Sequence, residues 1–122
     1  MLPKSVLIVD DSEPIRELIF FFLRENGFIV HEAEDGLNAL STLNQLGGVD
    51  LIITDLRMPR LGGLDFIKRV KESYPSTPLL VMSADGGRHL FDEARALGVK
   101  ECIAKPFSMQ TLLSLVYRYT GS

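Results

Sequence analysis

A chain of 122 residues is long enough to bury one real core and short enough to be one domain. Its 46% hydrophobic and 24% charged content excludes a disordered chain, and its net charge of −3 speaks against binding nucleic acid through bulk attraction. Cys102 is the single cysteine, which excludes an internal disulfide and a cysteine-built metal site, and the longest apolar stretch, Leu18 to Leu23, is far too short to cross a bilayer. With no signal peptide legible before the first apolar run, a cytoplasmic protein is expected.

Two kinds of apolar pattern alternate along the chain. Short continuous runs at 6–9, 28–30, 49–53, 79–82 and 102–104 read as strands buried on both faces. Between them the spacing is helical. Ile15, Leu18, Ile19, Phe22 and Leu23 make a first helical face, and Leu37, Leu40 and Leu43 mark a second helix. Leu64, Ile67 and Val70 mark a third, Leu90, Ala94 and Leu97 a fourth, and Leu112, Leu115, Val116 and Tyr119 a fifth. Punctuation agrees: Ser12 is an N-cap candidate with Pro14 in the first turn, and Asn26-Gly27, Gly47-Gly48 and Gly98 stand where helices should stop. Pro75 and Pro78 bracket the entry to the fourth strand. Five βα units predict one α/β domain over 1–122 (core about 4–119), a five-stranded parallel sheet with five helices on both faces, in the flavodoxin-like order 2-1-3-4-5.

Charge collects at the carboxyl ends of the predicted strands. Asp10-Asp11 follow the first run, Asp55 closes the third and Lys105-Pro106 closes the fifth. In the order 2-1-3-4-5 the topology reverses between the first and third strands, where such sheets bind ligands. Each residue alone has a plain reading: a helix cap, a solvated strand end, a surface lysine. Together they place three carboxylates and one ammonium at one sheet edge, a cluster whose mutual repulsion calls for a divalent cation.

These landmarks carry a family resemblance. Val6-Leu7-Ile8-Val9-Asp10-Asp11, Asp55-Leu56-Arg57-Met58-Pro59, Ser83-Ala84 and Lys105-Pro106-Phe107 stand in order, and from Lys4 to about Tyr119 the chain resembles the receiver domain of two-component response regulators. The resemblance implies a phosphoacceptor switch: Asp55 takes a phosphoryl group from a histidine kinase or phosphotransfer protein, with Mg²⁺ (or Mn²⁺) as cofactor. It implies Asp11 and Asp55 as direct metal ligands, Asp10 through a water, and the main-chain carbonyl of Arg57. Lys105, the Ser83 hydroxyl and the Ala84 backbone N–H would bind phosphoryl oxygens, and Lys105-Pro106 would be cis. It further implies a downstream protein target and no turnover of an external metabolite, while the charge and the short apolar runs lead to no expected direct nucleic acid or membrane contact.

The chain also departs from the pattern. Receivers usually carry Tyr or Phe three residues before the lysine, and here that position is Cys102. Cysteine cannot fill an aromatic volume, so the signal is expected to leave through the helix at 88–97, by Leu90 or Phe91, the alternative being an output face remodelled for a particular partner. Arg57 and Asp85 form a candidate gate at the phosphoryl mouth, their alternative being two solvated charges. Phe20 and Phe21 flank the core stripe of the first helix and are a candidate interface for a partner or a homodimer. Gly62-Gly63 stand where the family often has Asp or Asn before the glycine. Two other functions stay open: a receiver-like interaction module acting without phosphorylation, and a phosphatase with an aspartyl intermediate. Arg57 argues against the phosphatase, which wants a second acid two residues after the nucleophile.

Overall fold

The computed structural model describes residues 2–58, 60–84 and 88–122. In chain order the elements are β1 Ser5–Val9, α1 Glu13–Glu25, β2 Ile29–Ala33, α2 Gly36–Leu46 and β3 Leu51–Asp55. They continue with α3 Gly63–Ser73, β4 Leu79–Ser83, α4 Arg88–Ala96, β5 Glu101–Ala104 and α5 Met109–Thr120. All strands are parallel, in the order β2-β1-β3-β4-β5, as the alternation of patterns predicts.

Strand periodicity sorts the core into two layers. Leu7, Val9, Ile52, Leu79 and Val81 face α2, α3 and α4, packing on Ala39, Leu43, Phe66, Ile67, Val70 and Ala94. Val6, Ile8, Leu51, Ile53, Leu80 and Met82 face α1 and α5, packing on Ile19, Leu23, Leu112 and Val116. The three central strands are therefore buried on both sides, which is why they read as unbroken apolar runs. Phe66, fully buried, alone contributes about 2–3 kcal/mol by removal from water.

The two edge strands differ from the expectation of burial on both faces. β2 runs later than the apolar run at 28–30, through His31 and Glu32 to Ala33, and its Ile29 is exposed. β5 ends on exposed Ala104 with Cys102 half-buried. Each has a neighbour on one side only, so fewer of its side chains are covered. Two predicted core leucines also face outward: Leu18 on α1 and Leu37 on α2 are exposed, and the buried face of α2 is Gly36, Ala39 and Leu43.

The helix ends follow the predicted punctuation. Asn26 caps α1, Gly47 closes α2 at φ 75, and Gly98 follows α4 at φ 96. Ser12 is the N-cap of α1, but its hydroxyl makes no cap bond; its own amide N–H instead donates to Asp10 Oδ1 at 2.8 Å. The Lys105-Pro106 bond is cis. Among the described residues, no helix is long and apolar enough to cross a membrane.

Candidate functional site

The parallel register brings the strand ends to one edge. Val9 pairs with both Ala33 and Thr54, Asp55 with Met82, and Ser83 with Ala104. The rank continues one residue beyond the strands: Asp10 N–H donates to the Ala33 carbonyl at 3.1 Å, and Lys105 N–H to that of Ser83 at 2.9 Å. Asp10, Asp55, Ser83 and Lys105 consequently share one end of the sheet, where the strand order reverses around β1 and β3.

Carboxylate oxygens of Asp10, Asp11 and Asp55 lie within 4.8 Å of one another. Asp10 is fully buried, Asp55 nearly so at 7% exposure, and Asp11 is open to solvent. Lys105 bridges the two buried members, its Nζ donating to Asp10 Oδ2 at 2.9 Å and to Asp55 Oδ2 at 3.2 Å. One ammonium against three carboxylates leaves the cluster short of positive charge. Burial, reinforced by the neighbouring Asp10 charge, raises the Asp55 carboxyl above its ordinary value although Lys105 pulls the other way. Burial alone would lower Lys105, but its bonds and proximity to Asp10 and Asp55 raise it instead, so it stays a cation. Three convergent carboxylate oxygens are a donor set of the kind a hard divalent cation takes.

Of the remaining predicted residues, Arg57, Ser83 and Ala84 stand at or just past the ends of β3 and β4, beside this pocket. Arg57 is exposed, and its backbone N–H donates to Asp55 Oδ1 at 3.3 Å. Ser83 is buried at the last position of β4, and Ala84 is the exposed turn residue that follows. Asp85, the other half of the gate pair, lies outside the described residues. Cys102 is half-buried, its Sγ 3.9 Å from the Phe91 carbonyl, and burial raises its thiol pKa. Phe91 is buried in the α4 layer, and Leu90 is half-buried against it. On α1, Phe20 is half-buried and stacks edge-to-face on exposed Phe21 at 5.3 Å between centroids. A cavity of about 480 Å³ runs beside Lys105, lined by Ile15, Leu18, Phe107 and Met109.

Two arginines at this edge escaped the sequence reading. Arg16 Nη1 donates to the Asp10 carbonyl at 2.7 Å while its Nε reaches Glu32 at 3.2 Å. Arg60 binds Asp35, whose side chain is 2% exposed, and approaches Glu34 at 3.6 Å. Asp35 was findable in principle, because it too is an acid just past a strand end and just before a helix. The arginines carry no such positional signal.

The comparisons with known proteins agree with this architecture. The chain is 38% identical over 111 residues to the chemotaxis protein CheY-3 of Vibrio cholerae, covering 88% of this chain and 85% of that one. It is 35% identical over 119 residues to the phosphate regulon transcriptional regulatory protein PhoB of Escherichia coli, covering 94% of this chain but only 51% of PhoB. Among solved structures, the chemotaxis protein CheY4 of Vibrio cholerae superposes with a TM-score of 0.88 at 34% identity, covering 96% of this chain and 98% of that one. The profile of the response regulator receiver domain matches residues 6–117, the span that holds every strand-end residue of the acidic pocket, and the chain belongs to that family.

Proposed function

We propose that the protein is a phosphoacceptor signalling switch in which Asp55 receives a phosphoryl group from the phosphohistidine of a kinase or phosphotransfer protein. One observation carries this reading: three carboxylates converge within 4.8 Å at a topological switch point, and a lysine from a third strand end binds two of them. The donor set is all oxygen, with one exposed member and a deficit of positive charge, which fits Mg²⁺ (or Mn²⁺) better than a softer metal. When bound, the cation would neutralise the carboxylates and an incoming phosphoryl oxygen together, with Asp11 and Asp55 as direct ligands, Asp10 through a water, and the Arg57 carbonyl.

The chain's own groups do the rest. An Asp55 oxygen attacks phosphorus; the O–P bond forms as the P–N bond to imidazole breaks, and the electron pair leaves on the imidazole nitrogen. Lys105, kept cationic by its two carboxylates, supplies a point charge beside the acceptor oxygen. Ser83 and the Ala84 N–H, at the end of the adjacent strand, serve the other phosphoryl oxygens. The apolar groove beside Lys105, continued by exposed Leu18 and Phe21, offers a donor protein a surface next to the acceptor. With Cys102 in place of an aromatic ring and its Sγ against the Phe91 carbonyl, the signal leaves through α4, by Leu90 or Phe91. Amide shifts across 84–97 that stay unchanged on adding a phosphoryl mimic would reject that route.

The deciding experiment is mass spectrometry after incubation with a small phosphodonor and Mg²⁺. The expected result is one phosphate adduct that needs the cation and is missing in Asp55→Asn. An adduct that persists in that variant, or none in the wild type, refutes the reading.

A further inference from the structure

The segment joining β3 to α3 is held at three points. Its ends are drawn together by the Gly63 N–H, which donates to the Leu56 carbonyl at 3.1 Å. Its later part sits on the start of α2: Leu61 is buried, and a Cβ on Gly36 would lie 2.9 Å from the Leu61 carbonyl oxygen. The third hold is Arg60. Its backbone is left-handed at φ 66, a conformation that a residue with a Cβ rarely adopts without something to hold it there. Here the side chain does so, with Nε donating to Asp35 Oδ2 at 2.7 Å and Nη2 donating to the same oxygen. Asp35 is itself fixed, because its other oxygen accepts the Asn38 N–H at 2.8 Å and caps α2. A cavity of about 430 Å³ is lined by Asp11, Glu34, Asp35 and Arg60, so the latch borders a space that it shares with the exposed member of the acidic cluster.

We infer that Arg60 is a positioning residue for the cation site. By gripping Asp35 it fixes the loop that carries Arg57, three residues upstream, and so keeps the Arg57 backbone directed at the acidic pocket. The inference rests on the phosphoacceptor reading above, since it concerns the affinity of that same site. It also makes a prediction opposite in sign to simple electrostatics. Arg60 is a cation near Asp11, so deleting its charge alone would tighten Mg²⁺ binding. If the latch matters through geometry, deleting it weakens binding, as loss of the groups that orient metal ligands does.

The test is calorimetric titration of the purified protein with Mg²⁺, for wild type, Arg60→Ala, Arg60→Gly, Asp35→Asn and the Arg60→Ala/Asp35→Asn double variant. Asn still caps a helix, so Asp35→Asn removes the latch and keeps the cap. Expected is a loss of about ten-fold in Mg²⁺ affinity in each single variant, and no further loss in the double. Glycine tolerates the left-handed backbone, so a loss in Arg60→Gly assigns the effect to the side chain. With a small phosphodonor, the Arg60→Ala rate should return to that of wild type once Mg²⁺ is saturating, which damage to the fold would not allow. Affinity unchanged or tighter in Arg60→Ala, full affinity in Arg60→Gly, or losses that multiply in the double variant would each overturn the inference. A wild-type protein that takes no Mg²⁺ refutes the phosphoacceptor reading itself, and this one with it.

Discussion

Replacing Asp55 with asparagine should stabilise the protein when divalent cations are absent. The magnitude follows from three opposed effects. With carboxylate oxygens no more than 4.8 Å apart, Asp10 repels the Asp55 charge by at least about 3.5 kcal/mol at an effective dielectric near 20. Asp11 is exposed, so solvent screens its share to about half of that. Lys105 at 3.2 Å returns about 5 kcal/mol. Repulsion and attraction nearly cancel, and desolvation decides the sign. Asp55 is 7% exposed, and burying a carboxylate costs several kcal/mol before its hydrogen bonds are counted. Asparagine removes the charge but keeps one acceptor oxygen where the carboxylate has two, so it serves either Lys105 or the Arg57 N–H and gives back part of the relief; the expected net gain is about 2 kcal/mol at pH 7 in chelator. The pH dependence has a definite direction. An acid whose pKa is raised by folding adds stability below its unfolded value, here 3.8, and loses it as pH rises through the higher folded value. The variant's advantage is therefore largest at neutral pH and shrinks as pH falls toward 3.8. Mg²⁺ bound at the proposed site would work the other way: at about 100 times its dissociation constant it would stabilise the wild type by about 2.7 kcal/mol and should erase the advantage. Urea unfolding followed by far-UV circular dichroism, in chelator and in excess Mg²⁺, measures both. An Asp55→Asn variant no more stable than wild type in chelator at pH 7 would refute the balance drawn here.

Three further outcomes follow from the same region. Gly62 is the N-cap of α3, with φ −67 and open space around a would-be Cβ, so Gly62→Asp should raise stability by about 1 kcal/mol through a cap bond and a stiffer unfolded chain; an unchanged urea midpoint would contradict this. Gly63→Ala should cost about 2–3 kcal/mol, because its Cβ would stand 2.6 Å from the Leu56 Cα and 2.8 Å from the Leu56 carbonyl oxygen, both backbone atoms; a loss within error would show that the close approach relaxes freely. Burial alone would raise the Asp35 carboxyl, but the Asn38 amide and the Arg60 guanidinium outweigh it and hold the carboxyl below its ordinary 3.8. Its contribution is thus present above 3.8 and lost as pH falls through the lower folded value. Asp35→Asn should cost about 1 kcal/mol at pH 7, and the cost should shrink as pH falls below 3.8, compared by thermal midpoints.

What was legible in the sequence, and what was not, divides along a physical line. The central strands were readable because burial on both faces demands unbroken apolar runs, as in Leu51-Ile52-Ile53. The same rule misplaced β2, since an edge strand is free to carry His31 and Glu32. Helical spacing located all five helices but assigned Leu18 and Leu37 to the core, because hydrophobicity alone cannot say which flank of an apolar stripe a neighbour covers. Asp10, Asp55 and Lys105 could be brought together in advance because a parallel sheet puts every strand's carboxyl end at one edge; topology turns distant positions into neighbours.

The Arg60–Asp35 latch had no such help. It joins residues 25 apart that sit on two loops, and loop paths follow from turn geometry and from what packs beneath them, not from a repeating period. One trace was present, the acid at position 35 standing past a strand end like Asp10. That trace names one partner only. The arginine that answers it lies in a left-handed turn held down by Leu61 under Gly36, and these contacts exist only once the sheet has set the two loops side by side. The acidic pocket is thus a consequence of sheet order, whereas the latch beside it is a consequence of packing. For that reason substitutions at Arg60 should change the Mg²⁺ affinity proposed for the pocket while leaving in place the strand ends that make it.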